Sequence, residues 1–223
     1  MRLVMVKGFS KTGKTTTVEA IVAELRRRGY SVGTVKDIHY EGFTVDEPGK
    51  DTYKHRQAGA YRVTARGPKD TSIMVDEQMG IDAILKYYKE DFVVLEGDCG
   101  IKCPTIITGK TEDDISKRMC AEAFAISGVI SQGRKQEPEQ QDNKTGYNGL
   151  PIINATTEVS ELVDLIEKKT EDAVKDFDVE LTIDGEDIWM VPFVKETIKN
   201  VVVGAVKALD GYEEGKEIVI RVK

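Results

Sequence analysis

The run Gly8-Phe9-Ser10-Lys11-Thr12-Gly13-Lys14-Thr15 constrains this chain more than any other segment. It satisfies G-x-x-x-x-G-K-[ST], and it stands where that pattern has physical meaning, after the apolar run RLVMV and before a helical repeat. In the repeat, Val18, Ile21, Val22 and Leu25 fall at i, i+3, i+4 and i+7, Arg26 to Arg28 occupy the last turn, and Gly29 follows as a stop. Ser31 to Lys36 reads as a second strand. A strand, helix, strand unit of this length implies a parallel sheet with helices on its faces.

The chemistry follows from the residue types. Gly8 and Gly13 let the backbone curl until its N–H groups point inward at phosphate oxygens, at the positive end of a helix dipole. Lys14 supplies a point charge for the β- and γ-phosphates, and Thr15 offers its hydroxyl to Mg²⁺. The expected nucleotide-binding set is Gly8, Ser10, Lys11, Thr12, Gly13, Lys14, Thr15 and Thr16. A carboxylate at the end of a neighbouring strand normally shares the metal. Asp91-Phe-Val-Val-Leu-Glu96-Gly97-Asp98 offers Glu96 first and Asp98 second, while Asp37, closing the second strand, is a further candidate. Thr15, Glu96 and Asp37 are therefore the expected metal set, with Glu96 and Asp37 as the candidate catalytic carboxylates.

The rest of the chain fits an α/β reading. Asp37 to Asp51 lacks apolar periodicity and reads as an exposed functional loop. A short helix over Thr52 to Ala58 precedes YRVTAR and TSIMVDE, an antiparallel hairpin around Gly67-Pro68-Lys69-Asp70. Ile81 to Lys89 reads as helix, Phe92 to Leu95 as a strand buried on both faces, and PTIIT and FAISGVI as further strands. Gln132 to Gly149 is a polar loop, LPIIN a last sheet strand, and Glu158 to about Asp176 an amphipathic helix. From Asp178 onward the pattern changes to a hairpin around Asp184-Gly185, a helix opened by Pro192, and a closing strand IVIRV. The expectation is a nucleotide-binding domain over residues 1–177 and a small ββαβ module over 178–223.

Composition sets outer limits. The formal charge of −7, with 39 Asp and Glu against 32 Lys and Arg, argues against a protein covered by a nucleic-acid-binding surface. No apolar run approaches the roughly 20 residues of a membrane helix, the N-terminal stretch turns polar too early for a secretory signal, and three cysteines make no disulfide scaffold. The expected location is the cytoplasm.

GFSKTGKTT, a strand ending in TVK, HYEGFTVDEPGKDTYKHRQAGA and VVLEG together resemble the MobB family of molybdopterin-guanine dinucleotide biosynthesis adaptor proteins, over about residues 1 to 175. The most distinctive part is Asp46, Pro48 to Asp51, Tyr53, Arg56 and Ala58 to Ala60. The resemblance implies a P-loop fold that binds GTP with Mg²⁺ and hydrolyses it slowly. It also implies a homodimer that assists the guanylyltransferase joining GMP to molybdopterin. Asp46, Lys50, Asp51 and Arg56 would then belong to a loop near the nucleotide or pterin. The family tends to carry paired histidines after strand two, where this chain has Lys36-Asp37 and His39-Tyr40.

Two rivals stay open on the residues alone. The guanine-reading pattern N-K-x-D has only the near match Asn143-Lys144-Thr145-Gly146, so an ATP-dependent small-molecule kinase or ligase is the first. It would need a lid of arginines, and only Lys117-Arg118 or Arg134-Lys135 offer one. The second is a nucleotide-gated metallochaperone using Cys99, Cys103 and Cys120, whose three thiols fall one short of a closed zinc site unless His39 or His55 joins them.

Overall fold

The computed structural model describes residues 1–132, 146–174, 179–188, 190, 192–210 and 218–220. Compactness divides them into two units, one spanning Leu3–Ile166 and the other Glu167–Lys223.

In the first unit a five-stranded sheet is assembled from β1 (Arg2–Gly8), β2 (Val32–Lys36), β5 (Phe92–Glu96), β6 (Thr105–Thr108) and β7 (Ala123–Ser127), in the order β2-β5-β1-β6-β7. The pairs β2 with β5, β1 with β6 and β6 with β7 run parallel. Two-residue periodicity sends alternate side chains to opposite faces. Val4, Val6, Phe92, Val94, Ile106 and Phe124 enter one core with Val18, Ile21 and Leu25 of α1 (Lys14–Arg27) and Leu162, Val163 and Ile166 of α5 (Val159–Val174). On the other face Met5, Val93 and Leu95 pack with Leu85 of α3 (Ile81–Leu85), and Ile107 and Ile126 with Ile115 of α4 (Glu112–Arg118). Every residue of β5 is buried, as its unbroken apolar run requires. Between β2 and β5 the chain makes the loop from Asp37 to Lys50, α2 (Asp51–Gln57), and the antiparallel hairpin β3 (Arg62–Arg66) with β4 (Thr71–Val75).

Several expectations are corrected. The helix expected over Ile81 to Lys89 ends at Leu85, and Tyr88 instead lays its ring by Gly33 and donates its hydroxyl to the Thr34 carbonyl at 2.7 Å. FAISGVI is strand only to Ser127; Gly128 then turns the chain into a single 3₁₀ turn, Val129–Ser131. LPIIN contributes one parallel bridge, Ile152 to Ile126, rather than a strand, because only Pro151 and Ile153 exchange backbone bonds with Ile126. Helix α4 was not foreseen, although Thr111 caps it by accepting from the Asp114 N–H at 3.2 Å and three acids follow in its first turn. Most of the polar stretch after Gln132 lies outside the described residues, with Arg134, Lys135 and Asn143 to Thr145.

The second unit holds the end of α5, a hairpin of β8 (Thr182–Ile183) with β9 (Glu186–Asp187), and α6 (Pro192–Val206). Asp184 and Gly185 both take positive φ, 52° and 86°, the paired left-handed geometry of a two-residue hairpin turn. The closing strand expected from IVIRV is not formed over Ile218–Ile220, which take no strand pairing among the described residues, and Val219 and Ile220 stay exposed. Arg221 to Lys223 lie outside the described residues. No helix among the described residues is long and apolar enough to cross a membrane.

Candidate nucleotide site

In an open parallel sheet, ligands bind beyond the carboxyl ends of the strands, where the connections diverge. Here that point lies beside β1, which has β5 then β2 on one side and β6 then β7 on the other. The loop from Phe9 to Gly13 leaves β1 at this edge and enters α1 at Lys14. Lys11 (φ 60°) and Gly13 (φ 96°) are both left-handed, and these reversals curl the loop. Gly13 puts no side-chain cap on α1, so its first N–H groups remain available to an anion.

Four contacts brace the curl. Thr12 Oγ1 donates to the Phe9 carbonyl at 2.8 Å and lies 2.8 Å from Thr108 Oγ1 of β6. Val129 N–H donates to the Thr12 carbonyl at 3.0 Å, and Gly128 makes this approach feasible, since a Cβ there would stand 2.2 Å from that carbonyl oxygen. Lys14 Nζ donates to the Phe9 carbonyl at 2.6 Å. Burial lowers the pKa of Lys14; Glu96 opposes that shift, while Lys36 and Arg118 reinforce it.

Thr15 Oγ1 donates to Glu96 Oε1 at 2.8 Å, joining the start of α1 to the end of β5. Glu96 is buried, and Lys36 Nζ lies 3.1 Å from the same oxygen, placed by the register that sets Lys36 opposite Glu96. Asp98, the second choice, pairs instead with Lys7 at 2.6 Å, whose hydrogen bond is the main reason its carboxyl titrates below the usual range. Asp37 donates its N–H to the Glu96 carbonyl at 2.9 Å, and its carboxylate lies 3.3 Å from His39. Gly97, at φ 119°, allows the two strand ends to approach, since a Cβ there would fall 2.9 Å from that of Asp37. A hydroxyl and a buried carboxylate are hard oxygen donors of the type Mg²⁺ prefers, so this set fits that ion. Ser10, Lys11, Thr15 and Thr16 are exposed along the mouth.

Of the second-ligand residues, Asp46 and Arg56 face each other, while Lys50 and Asp51 pair with neighbours in their own segment. Asp46 is buried, accepts from Thr52 Oγ1 at 2.8 Å and the Glu47 N–H at 3.1 Å, and faces Arg56 at 3.6 Å. Arg56 reaches on to Asp76 at 2.9 Å, the contact that most raises its pKa. Lys50 pairs with Glu47 and Asp51 with Lys54. Cys99 and Cys103 lie with the core beneath β5, where burial pushes their thiols up to about 11 and about 12. Cys120 packs beside Ile107 and Ile115, and among the described residues no three His, Cys, Asp or Glu side chains gather at metal-binding spacing.

Sequence reasoning missed Thr108, Gly128 and Lys36, which act across strand pairings. It also named Arg118 only as part of a sparse lid. In the structure the Arg118 guanidinium carbon lies 4.1 Å from the centroid of the Phe9 ring, within the loop itself.

A sequence profile of the family described as Molybdopterin guanine dinucleotide synthesis protein B, MobB, matches residues 3–132. A protein of Methanocaldococcus jannaschii named for molybdopterin-guanine dinucleotide biosynthesis is 24% identical over 240 residues, spanning 100% of this chain and 97% of its own. The molybdopterin-guanine dinucleotide biosynthesis adapter protein of Escherichia coli is 30% identical over 96 residues, 40% of this chain and 54% of that one. The crystal structure of Bacillus subtilis MobB superposes with a TM-score of 0.59 at 24% identity, over 76% of this chain and 98% of that chain, a likeness of fold. The second unit falls beyond the family profile, yet the Methanocaldococcus protein aligns through it.

Proposed function

The chain belongs to the MobB family, and on that premise we propose that it is a GTP-binding adaptor, at most a slow GTPase, that assists the attachment of GMP to molybdopterin. The observation that carries the nucleotide half is the 2.8 Å contact from Thr15 Oγ1 to Glu96 Oε1, which puts the motif's hydroxyl and a buried strand-end carboxylate at one point beside the loop. The loop N–H groups and Lys14 would cradle the phosphates, and Thr15 with Glu96 would hold Mg²⁺, with Asp37 beside them. When bound, the ion would neutralise charge on the β- and γ-phosphates. Lys36 supplies the counter-charge to Glu96, and the Asp37 N–H ties the start of the following loop to the Glu96 backbone carbonyl.

Guanine specificity, the homodimer, the guanylyltransferase partner and a cytoplasmic location are part of this proposal, supported by the family. Slow turnover is supported by the motif's composition: neither Gly8 to Thr16 nor the strand ends at Lys36-Asp37 and Glu96 to Asp98 carry a glutamine to orient water, and an intrinsic rate of about 10⁻² s⁻¹ or less is expected without a water-positioning partner. Titration with Mg·GTP and Mg·ATP, with phosphate release followed in parallel, tests the reading. Tight GTP binding with turnover in minutes is expected. Preference for ATP, or many turnovers per second by the protein alone, would overturn it in favour of an ATP-dependent enzyme.

A further inference from the structure

We infer that Arg118 is a second phosphate-binding cation of the loop, held over Phe9 so that its guanidinium grips the terminal phosphates of the bound nucleotide. The inference rests on the nucleotide-binding reading above and extends it to a residue outside the motif. Its first support is the platform. A guanidinium 4.1 Å from the Phe9 ring centroid is fixed in place by the ring, but an aromatic face leaves the cation its charge and its in-plane donors. The mount is rigid: α4 is anchored by the fully buried Ile115 and capped by Thr111, and Arg118 is its last residue.

The second support is the state of the donors. Arg118 Nε is buried without a hydrogen-bond partner, and among the described residues no carboxylate stands within ion-pair distance of the guanidinium. A buried donor left unsatisfied costs free energy that native structures normally avoid, and a ligand that engages the guanidinium is one way to offset that cost. The nearby acids are already engaged, Glu96 with Thr15 and Lys36, and Asp98 with Lys7.

The third is position. Phe9, whose ring carries the guanidinium, is a residue of the phosphate-binding loop, and its carbonyl accepts from Lys14 Nζ at 2.6 Å, so the loop lysine and Arg118 converge on one residue. The loop lysine serves the β- and γ-phosphates, so a guanidinium mounted on that same residue is placed for the same end of the nucleotide. Its planar fork suits bidentate contact with phosphate oxygens.

The test compares wild type, Arg118→Met and Arg118→Lys, each titrated with fluorescent non-hydrolysable GTP and with GDP, with melting curves recorded beside them. Met keeps an apolar stem on Phe9 without charge, so the fold should melt near wild type. We expect Arg118→Met to weaken the GTP analogue by about thirtyfold and GDP by less than about threefold, on the scale of a lost charge-assisted contact to the terminal phosphate. Arg118→Lys should recover part of the loss. Unchanged GTP affinity, or equal losses for GTP and GDP together with a lowered melting temperature, would overturn the inference and reduce Arg118 to packing on Phe9. Wild-type protein that binds neither nucleotide would instead refute the nucleotide-binding reading, and this inference with it.

Discussion

Replacing Gly128 by alanine should damage the P-loop from behind, without touching any residue of the motif. Gly128 sits at φ 84°, ψ −153°, a region almost reserved for glycine, and holding a side chain there costs about 1–3 kcal/mol. The new Cβ would also lie 2.2 Å from the Thr12 carbonyl oxygen and 3.0 Å from Thr108 Cβ. Relief of that contact requires the Thr12 carbonyl to retreat by roughly 1 Å, which stretches the 3.0 Å bond from Val129 N–H and forfeits about 0.5–1.5 kcal/mol. The combined destabilisation of about 2–4 kcal/mol corresponds to roughly 5–15 °C in Tm for a chain of this size. Displaced loop N–H groups should weaken nucleotide binding by at least about tenfold, since each retained contact is a charge-assisted bond. Gly29→Ala is the control: its φ of 95° imposes backbone strain, but nothing lies within 4 Å of the added Cβ, so Tm should fall slightly and affinity should hold. Thermal melts and GTP titrations of both variants decide the matter. If Gly128→Ala matches Gly29→Ala in both readouts, the claimed backbone contact does not support the loop.

Lys14→Ala should lower GTP affinity by at least about a hundredfold while shifting Tm little, because the side chain makes one hydrogen bond to the loop and its charge serves the ligand; unchanged affinity in a titration would sink the P-loop assignment. Glu24 accepts from Arg27 at 2.6 Å and Arg28 at 2.9 Å, chiefly the former holding its carboxyl down to about 2 from an ordinary 4.5. Because the folded pKa is depressed, this contribution is fully present above pH 4.5 and is lost as pH falls through about 2; the Tm deficit of Glu24→Gln should shrink over that window, and a deficit independent of pH would contradict it. Truncation after Asp176 should leave GTP affinity intact and alter oligomeric state or partner docking. Loss of affinity in a folded product would refute a modular second unit.

Where the sequence was informative, one short segment carried its own structural consequence. The P-loop reads from spacing alone because its glycines, lysine and threonine act within eight consecutive residues, and β5 reads because four apolar residues in a row fit a doubly covered strand. The supporting contacts were hidden for a common reason: Lys36 meets Glu96 through strand register, Thr108 meets Thr12 across 96 residues, and Arg118 meets Phe9 only because α4 ends where it does. Helix α4 itself carried a readable start signal in Thr111 and the acids after it. LPIIN shows the opposite error, an apolar run with strand composition that finds only one bridge at the sheet edge.

The shared core of β1, β5, α1 and α5 sets an order on biosynthesis. Every residue that shapes the phosphate cradle, from Gly8 to the turn at Ser131, leaves the ribosome before α5 does. Yet Val4, Val6, Ile21 and Leu25, which hold the strand and helix on either side of the loop, are sealed only when Leu162, Val163 and Ile166 arrive. A chain made only to residue 131 thus carries the full set of ligand-facing groups on a scaffold whose core lacks Leu162, Val163 and Ile166.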